Sequence, residues 1–345
     1  PDCGEGALRF YLRVVGKDGV PMVRKLSYSS QTGGFRSVMY SWMKEIEEIR
    51  WTPDFPLAAL AYREREIPLS IQATYASPFV PLDCRVSGTP GFYVTFRLRN
   101  PTTEAWEVSL AGLLKNPVNR GRAQRNLHNR VLQEDGYTIL TMESLSDGAE
   151  PQNGSIGFGV SGGRQSFLQG CWEAFLDSYV CNGPLGATEE SCLFGFREKG
   201  EFPNSGWEER PGWFLRLEEE EVDRLPAAQI GRIIDFLRQP AEAASCWDRL
   251  RRLNPSPLET QEGKKEYIKQ LLRRFRRFEA DSGENGSVWG GGGLCTKVCL
   301  EPGEEKEIRF VVGWYFPNHI SPSGRRVGHR YAEWFANAQE VCVFL

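Results

Sequence analysis

Short runs in which apolar and polar residues alternate recur along this 345-residue chain, and they constrain its fold more than any other feature. The first run, residues 8–15, is followed by the turn sequence Gly16 to Gly19 and by a returning run at 20–28, which together predict a β-hairpin. Period-two alternation is typical of strands that bury one face. Because many such short runs are bounded by Gly, Pro, Asn or Asp, we predict a mainly β fold, a large two-sheet antiparallel β-sandwich, rather than alternating β-α units.

Further runs of this kind predict the remaining strands. The runs "GFYVTFRLRN" and "AWEVSLAGLL" flank the polar turn Asn100 to Thr103, where we predict a second hairpin. The glycines at 290–293 lack the Gly-Lys-Ser/Thr ending of a phosphate-binding loop, and we predict a flexible turn there. The other predicted strands are "LSIQATYASPF", "GYTILTME", "GSIGFGV", "GGLCTKVCL" and "EIRFVVGWYF".

The middle of the chain has helical periodicity instead. Helices are predicted for "PAAQIGRIIDFLRQ", "PAEAASCWDRLRRL" and "KKEYIKQLLRRFRRFEA", the first two with proline near the start. We therefore predict a helical insertion at about 214–280 in a β-sandwich domain that spans residues 1–328, with residues 226–280 forming helices packed on one face of the sandwich. The third helix has an apolar stripe formed by Ile268, Leu271, Leu272, Phe275 and Phe278.

The third predicted helix, residues 264–280, is strongly basic, with seven Lys or Arg and two Glu. One interpretation is peripheral contact with an anionic membrane or an acidic partner through Arg273, Arg274, Arg276 and Arg277. The other is an amphipathic helix that buries its stripe on the sandwich and leaves its arginines in solvent. In that case the acidic run at 218–221 is an internal counterpart that neutralises the positive charge of this helix.

Charge and cysteine usage bound the class of protein and its compartment. A net charge of -3 and a pI near 5.9 exclude the basic footprint of a nucleic-acid-binding protein. The longest apolar stretches are far shorter than the roughly 20 residues of a membrane-spanning helix. Nine scattered cysteines, an odd number without C-x-x-C pairs, indicate reduced thiols. We expect a cytoplasmic protein, peripheral to a membrane if the basic helix binds lipid.

The familiar catalytic and metal-binding patterns are missing from the sequence. No G-x-S-x-G elbow occurs, and only His128, His319 and His329 could serve as a base for a serine or cysteine nucleophile. None of these histidines has a metal-ligand spacing from a cysteine, so neither a metal nor a cofactor is predicted. Catalytic carboxylates cannot be chosen among 45 acidic residues, because such pairs depend on separation in space.

Aromatic residues suggest one candidate contact region. Ten Trp and 20 Phe are compatible with stacking on sugar rings, but in alternating strands they usually fill the core, as we expect for Phe92, Phe96 and Phe310. At the end of the last predicted strand, aromatic and hydrogen-bonding side chains crowd together where loops commonly carry function. We therefore select Trp314, Asn318 and His319 as candidate substrate-side or interdomain contacts.

The last 36 residues change from strand to helix. We predict a strand over Phe310 to Phe316, ended by Pro317 because proline has no N–H to donate, and a helix over roughly His329 to Phe344. Spacings of three and four give that helix an apolar face, which we expect to pack between the sandwich and another domain, with part of it exposed in this chain. The face comprises Tyr331, Trp334, Phe335, Ala338, Val341, Cys342 and Leu345.

Four stretches, in order, resemble one family. They are Phe55 to Asp83, Val94 to Pro117, His128 to Met142 and Leu300 to Asn318. Together they resemble the N-terminal domain of family 116 glycoside hydrolases, the non-lysosomal glucosylceramidases and related β-glucosidases. The helical insertion departs from that family's usual pattern, in which the chain passes more directly from the "FREKGEF" region to the glycine-rich return.

The resemblance implies a large sandwich, then a linker starting at 329–345, then an (α/α)6 barrel that is absent here. In that family the barrel carries the nucleophile and the acid/base carboxylate of a retaining mechanism, with carboxyl groups about 5 to 5.5 Å apart. It therefore implies no catalytic residue in this chain.

Two main hypotheses follow. The first is a non-catalytic sandwich that supports a separate barrel cleaving β-glucosides or glucosylceramide with retention. The second, from a different class, is a stand-alone carbohydrate-binding or scaffold protein with the same sandwich. A third, a complete enzyme with its site in the sandwich, ranks below both because the sequence contains no catalytic arrangement.

Overall fold

Strands dominate the described part of the chain and form two sheets. The computed structural model describes residues 8–27, 43–118, 127–144, 150–171, 195–202, 204, 217, 219–238, 260–281 and 290–345. Within them, one sheet has six strands and the other has eight. Neighbouring strands pair antiparallel, except one parallel pair in the six-stranded sheet that joins residues 23–25 to residues 43–45. The predicted two-sheet sandwich is confirmed.

The strands are β1 Leu8–Val15, β2 Pro21–Lys25, β3 Met43–Glu45, β4 Glu48–Asp54, β5 Leu57–Arg63, β6 Ser70–Ala76, β7 Gly91–Arg99, β8 Trp106–Lys115, β9 Leu127–Glu134, β10 Tyr137–Ser144, β11 Ser155–Ser161, β12 Arg164–Cys171, β13 Gly291–Leu300 and β14 Glu305–Tyr315. The six-stranded sheet has the order β12-β13-β8-β1-β2-β3, and the eight-stranded sheet the order β4-β5-β6-β7-β14-β11-β10-β9. Nine strands follow the predicted alternating runs, whereas β3, β4, β5, β9 and β12 were not predicted. The first hairpin forms as predicted, with β1 and β2 paired around a turn in which Gly19 has φ +69°.

The second predicted hairpin is wrong. Strands β7 and β8 belong to different sheets, so residues 100–105 form an arch that crosses the sandwich instead of a turn within one sheet. Asn100 organises this arch. Its buried side-chain nitrogen lies 2.7, 3.0 and 3.1 Å from the carbonyl oxygens of Glu104, Leu300 and Glu301. Because Leu300 ends β13 and Glu301 begins its connection to β14, one side chain joins two sheet-crossing arches.

The flexible turn predicted at 290–293 does not form, and the predicted strand "GGLCTKVCL", which already included Gly292 and Gly293, is the prediction that holds. Gly291, Gly292 and Gly293 lie inside β13 and are buried. A Cβ on Gly292 would come 2.6 Å from Leu140 Cδ2, and one on Gly293 would come 2.6 Å from Leu113 Cδ2. The run is therefore selected by close packing within the sandwich.

Aromatic rings from both sheets meet in the core. Phe10 on β1 lies 4.9 Å from Phe96 and 5.0 Å from Phe310, centroid to centroid, in edge-to-face geometry, and Phe158 stacks on Phe310 at 5.6 Å. A Cβ on Gly112 of β8 would come 2.6 Å from Phe158, so this glycine makes room for the cluster. Phe96 and Phe310 are core residues, as predicted.

Helices occupy the middle and the end of the described chain. They are α1 Cys84–Ser87, α2 Glu219–Arg224, α3 Ala227–Arg238, α4 Gln261–Asp281 and α5 Ala338–Phe344, with a π-helical turn at Gly195–Lys199 and a 3₁₀ turn at Arg330–Glu333. The first and third predicted helices are confirmed as α3 and α4, and the helix predicted at 240–253 lies outside the described residues. None of these helices is both long and apolar enough to cross a bilayer.

The helices share the hydrophobic core of the sandwich. The buried side chains of α2, α3 and α4 belong to the same hydrophobic cluster as the inner faces of the two sheets. On α4, Ile268, Leu271 and Leu272 of the predicted stripe are fully buried. The side chains of Phe275 and Phe278 lie outside the described residues. Burial of the stripe supports the interpretation of α4 as an amphipathic helix docked within this chain.

The helix predicted at 329–344 is divided in two. The 3₁₀ turn at Arg330–Glu333 ends before Asn337, whose extended backbone begins α5 and whose side chain accepts a hydrogen bond from the Glu340 amide at 3.0 Å. Asn337 is thus an N-cap that starts a second, separate helix. The strand that precedes them, β14, ends at Tyr315, one residue before the predicted end.

Candidate functional site at the end of strand β14

Three adjacent glycines form the floor on which the last helix lies. Gly91 on β7 pairs with Gly313 on β14, which pairs with Gly157 on β11, so the three form a row across the eight-stranded sheet. A Cβ on Gly313 would come 2.8 Å from Val341 Cγ1, and one on Gly157 would come 2.6 Å from the Cys342 sulfur. The row allows α5 to approach the backbone of the sheet.

The apolar face of α5 is therefore largely buried against this chain's own sheet. Phe335, Ala338, Val341 and Cys342 are all buried, whereas Tyr331, Trp334 and Leu345 are half-buried. The buried part lies on the sandwich because the glycine row, which lacks side chains, leaves a groove that the helix fills. The half-buried residues agree with the expected partial exposure, and contact of this face with another domain stays a prediction.

The three candidate residues at the strand end have different environments. Trp314 points the same way as Val312 and packs half-buried against the sandwich core. The Asn318 side chain donates to the Glu150 carbonyl oxygen at 3.3 Å, which ties the loop after β14 to the segment before β11. His319 is exposed, and its carbonyl oxygen accepts from the Val327 amide at 3.0 Å. Trp314 therefore lies apart from His319 on the inner side of the sheet.

His319 instead belongs to a ladder of four rings, which we call the ring ladder: Tyr315, Tyr331, His329 and His319. The His319 and His329 ring centroids are 4.7 Å apart, His329 stacks on Tyr331 at 5.0 Å with an interplanar angle of 7°, and Tyr331 contacts Tyr315 edge-on at 6.0 Å. The sequence interpretation missed His329 and Tyr331. In the sequence, the only signal for these two residues is their position after a hairpin. That hairpin returns the chain to the neighbourhood of Pro317.

Protonation in the ring ladder is set by burial and by neighbours. Burial, and then the nearby His319, lower the pKa of His329 from its ordinary value of 6.5. Burial raises the pKa of Tyr331, whose hydroxyl donates to the Phe316 carbonyl at 2.9 Å and accepts from the Phe316 amide at 3.2 Å. The Tyr331 hydroxyl is thus held by the backbone as a structural latch, and His329 is neutral at physiological pH.

A second candidate region is a groove of about 970 Å³ along β5 and β6. It contains Glu47 and Glu48. Hydrogen bonds from Arg65 lower the pKa of Glu47, and a hydrogen bond from Arg50 lowers that of Glu48. A glycosidase general acid needs the opposite, a carboxyl group whose pKa is raised so that it carries a proton near neutral pH. These two carboxylates are therefore ion-paired structural groups.

The basic helix α4 finds its counter-charges inside the chain. Arg273 donates to both carboxylate oxygens of Glu219 at 2.9 and 2.5 Å, and Lys269 donates to Asp223 at 2.8 Å. These acceptors lie on α2, within and just beyond the acidic run, so the predicted internal counterpart forms. The side chains of Arg274, Arg276 and Arg277 lie outside the described residues, and membrane contact through them stays a prediction.

One end of the eight-stranded sheet exposes apolar side chains next to α5. Phe55 in the β4–β5 turn contacts Phe79 edge-on at 5.5 Å, and the neighbouring Val80 is fixed by hydrogen bonds with the Ser87 hydroxyl at 2.8 and 3.0 Å. Arg85 lies 5.6 Å over the ring of Phe344 on α5. We call the exposed side chains of this end the apolar end; they are Phe55, Phe79, Val80, Leu82, Val343 and Phe344.

Comparison with known families identifies the chain. Residues 6–210 and 259–344 match the family described as beta-glucosidase 2, glycosyl-hydrolase family 116 N-term. The chain belongs to this family. The predicted resemblance is thereby confirmed over most of the sequence. The match to this family 116 N-terminal domain omits residues 211–258, which include α2 and α3, and resumes before α4.

Other comparisons add little to the family 116 assignment. No curated protein matches the chain. Among solved structures, a polysaccharide lyase matches with a TM-score of 0.35 at 11% identity, covering 90% of this chain and 26% of that one. A putative kojibiose phosphorylase from the human microbiome matches with a TM-score of 0.31 at 9% identity, covering 88% and 21%. This family 116 N-terminal domain thus spans about a quarter or less of both chains.

Proposed function

We propose that this chain is a non-catalytic N-terminal sandwich that supports a separate catalytic barrel in a family 116 glycosyl hydrolase cleaving β-glucosides with retention. The observation that carries the proposal is the family match over residues 6–210 and 259–344. The ion-paired state of Glu47 and Glu48 supports the non-catalytic role, because neither carboxyl group has the raised pKa of a general acid. On this proposal, the barrel binds the substrate and carries the catalytic carboxylates.

The test compares this chain with the product of its gene read beyond Leu345. Both are assayed on an aryl β-glucoside, and the anomer first released is identified by NMR. We expect hydrolysis with retention by the longer product only. Hydrolysis by this chain alone at an enzyme-like rate would overturn the proposal. Sugar binding by this chain, with a gene that stops at Leu345, would establish the stand-alone carbohydrate-binding protein instead.

We also propose a reducing, cytoplasmic location. Cys84, Cys295, Cys299 and Cys342 are free thiols, and burial raises the pKa of Cys295 and of Cys342 to about 12, so both are poor nucleophiles for disulfide exchange. Cell fractionation tests this proposal. Recovery of the native protein from an oxidising compartment, with disulfides found by mass spectrometry, would contradict it.

A further inference from the structure

The apolar end of the sandwich exposes more apolar surface than an isolated domain needs. Phe55 is 83% exposed and Leu82 is fully exposed at 104%, while Phe79 and Val80 are about half exposed. With Val343 and Phe344 of α5, and at about 200 Å² for each large side chain, the exposed area of the six residues is roughly 770 Å². That exceeds the about 300–600 Å² of the largest patch on a typical monomer. It is close to the about 800 Å² that one partner contributes to a standard interface.

The apolar end is held in a defined shape. The Asp83 carboxylate accepts hydrogen bonds from the Arg85 and Val86 amides at 3.0 and 2.9 Å, which caps α1. The neighbouring Leu82 has φ +68°, a left-handed conformation that a branched side chain adopts only when its surroundings hold it there. A loop fixed in this way, with Leu82 fully exposed to solvent, is suited to docking on a rigid partner.

We propose that the apolar end is the surface on which the helical catalytic domain docks, an inference that rests on the proposed function. Leu345 contacts Gly91 at the base of this end, and Phe344 is part of it. A polypeptide continuing from Leu345 would therefore leave from the edge of the docking surface. Apolar side chains between α-helices of a barrel match this surface in chemistry, because burial of apolar area is the main favourable term in such contacts.

A membrane is the less favoured occupant because acidic groups flank both loop tips. Asp54 precedes Phe55, and Asp83 follows Leu82. Both are carboxylates that anionic lipid headgroups would repel. The carboxylate of Asp83 is moreover fixed beside Leu82 by its capping hydrogen bonds, so it cannot turn away. The exposed Arg85, over the ring of Phe344, offsets only one of these two carboxylates, and a neutral protein surface repels neither.

Hydrogen exchange of this chain and of the longer gene product, measured side by side, tests the docking. Peptides covering 54–57 and 78–84 are expected to exchange at least about tenfold more slowly in the longer product, as at a buried interface. The turn at Val20, which is exposed and lies at the opposite end of the sandwich, provides the internal control and should not change. Equal exchange of the loop peptides in the two proteins would overturn the proposal.

Substitutions separate docking from folding. Phe55→Ser and Leu82→Ser change exposed side chains, so this chain should keep its unfolding midpoint, while the longer product loses the protection of both loops. Val20→Ser is the matched control and should leave that protection intact. Loop protection that persists in both loop variants would contradict the docking.

Two further measurements distinguish the other occupants and the proposed function. A dimer of this chain that Leu82→Ser abolishes, or co-sedimentation with phosphatidylcholine–phosphatidylserine vesicles that Phe55→Ser abolishes, would overturn the proposal in favour of a second copy or a membrane. β-Glucoside hydrolysis by the longer product without loop protection would refute the docking alone. Loop protection without hydrolysis would support the docking and refute the proposed function.

Discussion

Val341 on α5 packs directly over Gly313 on β14, where a Cβ would come 2.8 Å from Val341 Cγ1. The contact exists because Gly313 is the centre of the glycine row, and it places the last helix against the backbone of the eight-stranded sheet. The apolar end includes Val343 and Phe344 of this helix. The fit between α5 and the sheet therefore positions that part of the apolar end.

Replacing Gly313 with Ala should destabilise the chain by about 1–3 kcal/mol, the usual cost of overpacking, because Val341 belongs to a helix that is fixed by its own N-cap. Urea unfolding followed by tryptophan fluorescence measures the change. Gly231→Ala on α3 is the control with the opposite sign. No atom lies within 4 Å of a Cβ there, and alanine in a helix interior should stabilise by about 0.5–1 kcal/mol. A neutral Gly313→Ala variant would mean that α5 is not seated as described.

Replacing Asn100 with Ala should cost about 2–3 kcal/mol in the free energy of unfolding. The change removes a buried donor shared by the carbonyls of Glu104, Leu300 and Glu301, and leaves these acceptors without that partner. The exposed Thr103 in the same arch is the control, and Thr103→Ala should stay within about 0.5 kcal/mol. Equal effects of the two substitutions, measured by denaturant unfolding, would show that Asn100 does not join the arches.

Exchanging the charges of Glu219 and Arg273 tests whether the basic helix is neutralised within the chain. Glu219→Arg and Arg273→Glu should each lower the thermal unfolding midpoint, and the double variant should recover part of the loss. Recovery should be incomplete because Glu266 also lies 3.3 Å from Arg273. The single-variant effects should shrink in 1 M salt, which screens exposed pairs. Strictly additive losses in the double variant would show that the two side chains do not interact.

His329 should make stability depend on pH in a defined window. Its pKa is lowered in the folded chain by burial and by His319, so the unfolded chain takes up the proton at higher pH. The contribution of this imidazole is therefore fully present above its ordinary pKa of 6.5 and is lost as the pH falls through the lowered value.

Thermal unfolding midpoints between about pH 5 and 7.5 measure this dependence. The midpoint should rise with pH below 6.5, and less steeply in His329→Gln. Substituting His319 by Gln should also reduce the slope, though less, since His319 is the second of the two causes. Parallel curves for the parent and His329→Gln would contradict the assignment.

Local sequence patterns predicted most of the elements but not the sheet to which each strand belongs. Alternation predicted β7 and β8 correctly, because a strand with one buried face must have a period of two. It could not distinguish a hairpin from an arch, since both sheets bury their inner faces against the same core. Asn100 decides this through contacts with Leu300 and Glu301, some 200 positions away in sequence.

The same limit applies to the glycines and to the candidate site. Local propensity favours a turn at Gly291, Gly292 and Gly293, whereas tertiary packing places them in a strand. Only the positions of Leu113 and Leu140 reveal that a side chain would not fit there. Trp314 and His319 are five residues apart in sequence, but they lie on different sides of the sheet. The ring of His329 contacts that of His319 only because the residues between them fold into a hairpin.

The sequence by itself determined the strand and helix periodicities, the family to which the chain belongs, and the complementary charges of the 218–221 run and the basic helix. These properties depend on neighbours within a few positions, or on motif order along the chain. Only the tertiary structure decided that the Gly91–Gly313–Gly157 row binds α5, that Glu219 meets Arg273, and that Phe55, Phe79 and Leu82 form one exposed surface. The physical reason is that packing and burial are set by residues distant in sequence, whose meeting no local pattern encodes.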